Sequence, residues 1–146
     1  MYPKHKLRRY HKSVWMPNYA VGMVREFIEQ LPFVDITDHA SKEMYNDKFG
    51  RIPLPTKNEL FNKGNELVEI FERILNGVPT SVAQKLVIRV KILNNKYDYT
   101  YVIAREGFIV TSWSTEKSDI HKLTKSLYEY YVPPAEREKI YRKFNA

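Results

Sequence analysis

The sequence predicts an α+β fold, and three observations predict it. Apolar residues recur at helical spacing before residue 77, and the period switches to two after Pro79. The alternating segments are joined by turns so short that only antiparallel pairing is open to them. Helices gathered before and after a meander of three or four strands, rather than alternating with strands, make the arrangement α+β.

The first helix is expected over Tyr19–Leu31. Ala20, Val24, Phe27, Ile28 and Leu31 fall on one stripe, Asn18 is an N-cap candidate after Pro17, and Pro32 ends the run. A second, short helix is read in Asp35–Asn46, capped by Thr37 or Asp38, with Ile36, Ala40 and Met44 repeating every four residues. Lys48–Pro55 holds a glycine and two prolines and reads as an ordered connection. Thr56 is then expected to cap the longest helix, about Lys57–Asn76. Its stripe is Leu60, Gly64, Leu67, Val68, Phe71, Ile74 and Leu75, and Asn76-Gly77 is read as its left-handed stop.

Beyond Pro79, Leu86, Ile88, Val90 and Ile92 alternate with Val87, Arg89 and Lys91, giving a strand with one apolar and one partly cationic face. Asn94-Asn95 turns the chain into a second strand, in which Tyr97, Tyr99, Tyr101 and Ile103 share a face. Arg105-Glu106-Gly107 turns it again into Phe108–Ser114. A helix capped by Ser118 or Asp119 and a terminal helix at Ala135–Phe144 complete the expectation, with Pro133-Pro134 between them.

Charge divides the chain. Of a net +7, five positive charges (Lys4, Lys6, Arg8, Arg9 and Lys12) fall within the first fifteen residues, with no acid among them. Residues 1–17 are therefore read as a basic arm and 18–146 as a single domain. A cationic arm holds an anionic polymer because each neutralised phosphate releases counterions. A tail that only keeps the protein in solution is the plain alternative. An aromatic share of 14% excludes global disorder. With no cysteine in the chain, disulfides and cysteine-based metal sites are excluded, and a reducing, cytoplasmic compartment is expected. No window approaches the ~20 apolar residues of a membrane span, and no signal sequence is legible.

The phosphate-loop, nucleophile-elbow, His-Glu-x-x-His and EF-hand motifs are all absent. Histidines 5, 11, 39 and 121 have no metal-ligand spacing, and no cofactor is expected. His39 stands apart because it opens the second helix, with Lys42 and Glu43 three and four residues on, sharing its face. Imidazole beside a cation and a carboxylate suits acid–base chemistry on a phosphodiester. A surface histidine at a helix start is the plain alternative. At the end of the third strand, Thr111-Ser112-Trp113-Ser114 sets three hydroxyls around a tryptophan, suited to bonding phosphate and stacking a base or simply to a strand. The Tyr97, Tyr99 and Tyr101 row is likewise either a stacking platform or a core face.

Ile36-Thr37-Asp38-His39-Ala40-Ser41-Lys42-Glu43-Met44 resembles the helix that opens small toxin-like ribonucleases of the barnase–EndoU–colicin–RelE-like group, phage and polymorphic-toxin branches included. Ile74-Leu75-Asn76-Gly77 is similar to the end of that group's next helix. Tyr101–Trp113, with Gly107, Ile109-Val110-Thr111 and Trp113, resembles its strand segment. Together these cover about residues 35–115.

The resemblance implies metal-independent RNA cleavage by attack of the ribose 2′-OH. His39 would be the acid–base group and Thr111 the hydroxyl bonding the scissile phosphate. Arg89, Lys91 or Arg105 would stabilise the phosphorane, and Trp113 would stack on a base. With Lys42 and the arm these residues would form the nucleic-acid contact. Where the pattern has an arginine this chain has Glu43, which repels phosphate unless it serves as base. The implied partner is RNA, with DNA as the alternative, and a protein inhibitor or host protein is a further expected partner. The other function classes are a non-catalytic nucleic-acid- or host-protein-binding module on the same fold, and a dimeric virus or mobile-element protein whose aromatic surface is its interface.

Overall fold

A computed structural model describes residues 7–11 and 20–119. Lys4, Lys6, Lys12, His5, His121 and the two expected C-terminal helices lie outside the described residues. The chain divides into two compact units.

The first unit comprises, among the described residues, β1 (Leu7–His11), α1 (Ala20–Gln30) and the hairpin arms within Glu69–Gln84. These arms belong to β3 (Glu66–Leu75) and β4 (Val78–Val90), both of which continue into the second unit. Helix α1 lies within one residue of its expected bounds and buries Met23 and Phe27. Part of the expected basic arm is strand: β1 pairs antiparallel with β3, setting Arg8 opposite Glu72 and Arg9 opposite Phe71.

The largest correction concerns Lys57–Asn76, expected as the longest helix. Thr56 does cap a helix, but α3 is one turn, Lys57–Leu60. Its capping box is complete: Glu59 N–H donates to Thr56 Oγ1 at 3.1 Å, and Thr56 N–H donates to Glu59 Oε1 at 2.8 Å. The Thr56 backbone and side-chain bonds hold the Glu59 carboxyl below its ordinary pKa. The chain then extends as β3, with Val68, Ile70, Glu72 and Ile74 buried at alternate positions. Asn76 and Gly77 both have positive φ, +52° and +79°. Two consecutive residues of that kind form a type I′ hairpin turn, not a helix stop. The antiparallel meander therefore has four strands, β3 to β6.

The second unit, Leu31–Val68 with Lys85 to residue 119, carries the strand order β4-β5-β6-β2. Here β5 is Tyr97–Ala104, β6 is Phe108–Glu116 and β2 is the short Asp35–Ile36, parallel to β6. The β5–β6 register slips by one residue between Val102↔Thr111 and Ile103↔Ile109, leaving Val110 as a bulge. Helix α2 (Asp38–Tyr45) packs against β6. The connection that follows α2 is ordered, as the sequence suggests: Ile52 N–H donates to Met44 O, and the buried Tyr101 hydroxyl donates to Pro53 O at 2.8 Å. Burial pushes the Tyr101 phenol up, with Tyr99 and Glu59 adding to the effect. Tyr101 is core and not a stacking surface.

Gly107 turns β5 into β6 at φ +104°, and a Cβ there would lie 2.6 Å from the Phe33 carbonyl oxygen. Its own carbonyl accepts from Asp35 N–H at 2.8 Å, so the turn cannot open without loosening β2. Gly107→Ala is expected to cost about 2–3 kcal/mol through backbone strain and overpacking, read as a lower urea midpoint at unchanged slope. A midpoint equal to that of the wild type would contradict the packing described.

Candidate functional site

For His39 and Thr111 to serve one phosphate, a residue on α2 and one on β6 must come together, and the capping of α2 makes this feasible. Thr37 takes an extended conformation, and its Oγ1 accepts from Ala40 N–H at 3.1 Å, satisfying one free donor of the first turn. The Thr37 N–H in turn donates to Ile109 O of β6 at 3.1 Å. One residue thus fixes both the start of α2 and its attachment to the strand. Ala40 and Met44 turn inward, leaving His39 and Glu43 together on an adjoining face.

The centre of the site is the Glu43 carboxylate. Its Oε1 accepts from Thr111 Oγ1 at 2.7 Å, and its Oε2 lies 3.4 Å from His39 Nε2. His39 is 76% exposed and Glu43 35%, so both can meet a ligand from solvent. An exposed i,i+4 pair of this kind contributes only about 0.5 kcal/mol to stability. The arrangement can hold a carboxylate in one orientation beside an imidazole, which suits proton transfer. Glu43 thus links His39 on α2 to Thr111 on β6. With its proton given to Glu43, the Thr111 hydroxyl orients the carboxylate instead of donating to phosphate.

One turn further along, Asp47 repeats the contact. Its Oδ1 accepts from Ser114 N–H at 3.2 Å and its Oδ2 accepts from Ser114 Oγ and from Phe49 N–H. The end of α2 and its following loop are therefore tied to β6 at two successive places.

No protein-family model matches this chain, and neither does any curated protein or solved structure.

Arg89, expected to stabilise a phosphorane, is 3% exposed and fully engaged. Its Nε donates to Asp98 Oδ2 at 2.9 Å, while its terminal nitrogens donate to the carbonyls of Glu116, Lys117 and Asp119. It is a structural ion, two strands away from Thr111, and the catalytic role expected of it is withdrawn. Lys91 is partly exposed but binds Glu66 at 3.5 Å and Asp98 at 3.3 Å, just past the end of the same remote strand. Arg105 sits in the β5–β6 turn, at the end of β6 where β2 pairs. Trp113 is half-buried on β6 opposite Thr100 of β5, one alternate position beyond Thr111. Lys42 is exposed in the last turn of α2. Among the described residues no group of three or more histidines or acids could hold a metal ion, and no helix is long and apolar enough to cross a membrane.

The role of Asp98 was not legible in the sequence. Fully buried, it receives Arg89, Lys91 and Lys117, the last at 2.7 Å. Burial by itself would raise its pKa, but Lys117, Arg89 and Lys91 together outweigh that and hold the carboxyl below its ordinary 3.8. An acid alternating with tyrosines along a strand was the available signal, and only the β4–β5 register reveals its partner. Arg89 lies opposite Thr100, so Asp98 is its diagonal neighbour.

Proposed function

We propose that the chain is a small metal-independent endoribonuclease of the barnase–EndoU–colicin–RelE-like type, working in the cytoplasm. The observation that carries the reading is the Glu43 carboxylate held between His39 and Thr111. Glu43 takes the proton of the ribose 2′-OH as its oxygen attacks the adjacent phosphorus. The bond from phosphorus to the leaving 5′-oxygen then breaks, and protonated His39 supplies the proton that oxygen needs. The products are a 2′,3′-cyclic phosphate and a 5′-hydroxyl, with no metal or cofactor called on. The acid at position 43, out of place in an arginine position of the resembled pattern, thereby acquires a role. Lys42 and the lysines at 4, 6 and 12 supply positive charge toward the RNA backbone.

The test is incubation of the full chain with total RNA in EDTA. Fragments ending in 2′,3′-cyclic phosphate are expected; no cleavage at any protein concentration sinks the enzyme reading. A second reading, a nucleic-acid-binding module without catalysis, is favoured by the burial of Arg89, which leaves the phosphorane without that guanidinium.

The arm has its own expected result. Replacing Lys4, Lys6 and Lys12 by glutamine should flatten the log–log salt dependence of single-strand RNA binding by roughly two units, at about 0.7 per phosphate contact. An unchanged slope removes those lysines from the interface.

A further inference from the structure

Beyond the dyad, the loop that leaves α2 carries a second feature. We infer that Tyr45, Phe49, Tyr97, Lys48 and Arg51 form a stacking site for the unpaired bases of single-stranded RNA.

Tyr45, the last residue of α2, is 67% exposed, and the Arg51 guanidinium lies over its ring at 5.6 Å from the centroid. Phe49 stacks on Tyr97 with centroids 4.3 Å apart and planes 13° from parallel, and Lys48 Nζ lies 4.9 Å from the Phe49 centroid. The loop is held in this shape by Asp47, whose carboxylate takes the Phe49 N–H and whose carbonyl takes the Gly50 N–H. Asp47 is itself bound to Ser114, so its charge is directed into the fold. Among the described residues no carboxylate pairs with Lys48 or Arg51.

Two exposed rings, Tyr45 and Phe49, each with a cation beside it that no carboxylate among the described residues neutralises, suit a ligand made of flat bases and phosphates. The core of a protein interface, by contrast, is depleted in lysine. The ligand is single-stranded because bases within a duplex are already stacked on one another and offer no face to a side chain. The site also lies along the path a substrate would follow. Thr111 meets Glu43, Ser114 meets Asp47, and Glu116 pairs with Tyr97, which stacks on Phe49. From Thr111 to Glu116 is about 17 Å at ~3.3 Å per strand residue. A strand engaged at the dyad would therefore continue over these rings. The inference deepens the ribonuclease reading by naming its substrate class, but base stacking here does not depend on cleavage.

The experiment measures fluorescence anisotropy of a short 2′-O-methyl single-stranded oligonucleotide, which cannot be cleaved, titrated with the full chain. Tyr45→Ala is expected to weaken binding roughly five- to hundred-fold, Tyr45→Trp to retain it, and Arg51→Gln to weaken it less. An abasic oligonucleotide of the same length should bind wild type and Tyr45→Ala alike. Affinity of Tyr45→Ala within twofold of wild type overturns the inference. So does a duplex binding as tightly as the single strand, or a loss confined to concentration-dependent self-association, which would mark a protein interface. Tyr45-dependent binding by a chain that cleaves nothing leaves the stacking site standing and removes only the enzyme.

Discussion

Asp98→Ala is expected to lower the free energy of unfolding by about 3–5 kcal/mol, the cost of breaking a buried ion pair by removing one partner. The carboxylate is fully buried and receives three cations, of which Arg89 is equally buried. Without it the Arg89 guanidinium keeps its carbonyl acceptors at Glu116, Lys117 and Asp119 but has no neutralising charge. Those carbonyls end and follow β6, so the loss should also loosen the exit of the chain from the sheet. The pH dependence carries the same signature. A carboxyl held below 3.8 in the folded state contributes stability that is present above that value and lost as pH falls through the folded pKa. Urea unfolding between roughly pH 5 and pH 2 should thus show a steeper decline in wild type than in Asp98→Asn. Equal slopes would mean that the cluster is not coupled to folding.

In the ribonuclease reading, His39→Ala and Glu43→Gln are each expected to reduce the cleavage rate by about 10²–10⁴-fold, the usual contribution of a positioned acid or base. Because the two act as a pair, the double variant should be little slower than the worse single one. Neither change should alter stability by more than about 1 kcal/mol, since both side chains are solvent-accessible and their mutual attraction is screened. Thr111 touches the substrate only through Glu43 and is a positioning residue. Thr111→Val removes the 2.7 Å bond and should lower the rate, while Thr111→Ser should restore it. Single-turnover cleavage of a defined RNA, with urea unfolding of each variant beside it, measures all of these. Full activity in Glu43→Gln would overturn the assignment of the base.

Much of the architecture can be read from local chemistry. Pro32 and the apolar stripe delimit α1, Thr37 caps α2, Thr56 caps a helix that lasts only one turn, and the bounds of β5 and the start of β6 follow from alternation and from the residues that turn the chain. The stretch from Glu66 to Leu75 was misread for a physical reason. Leu67, Val68, Phe71, Ile74 and Leu75 satisfy a helical stripe, while the strand's inward row, Val68, Ile70, Glu72 and Ile74, includes an acid. Glu72 is buried because its carboxylate accepts from Ser81 N–H across the hairpin, a partner invisible in a linear reading. The β-branched residues and the Asn-Gly pair were the better guide.

The site was legible to a similar degree. His39 and Glu43 follow from helical spacing, and the meeting with Thr111 required only that α2 lie beside the third expected strand. The basic face of β4 misled, because alternation assigns Arg89 a direction but not a partner, and Asp98 lies across the sheet.

The contacts that α2 makes with β6 have a consequence for the solubility of the chain. Among the described residues, β6 beyond Ile109 pairs with β5 on one side and with no strand on the other. Asp47 occupies the Ser114 amide that a foreign strand would need. The carboxylate covers an edge amide of β6, and a chain whose second helix peeled away would offer Phe108–Glu116 as an open edge for cross-β pairing.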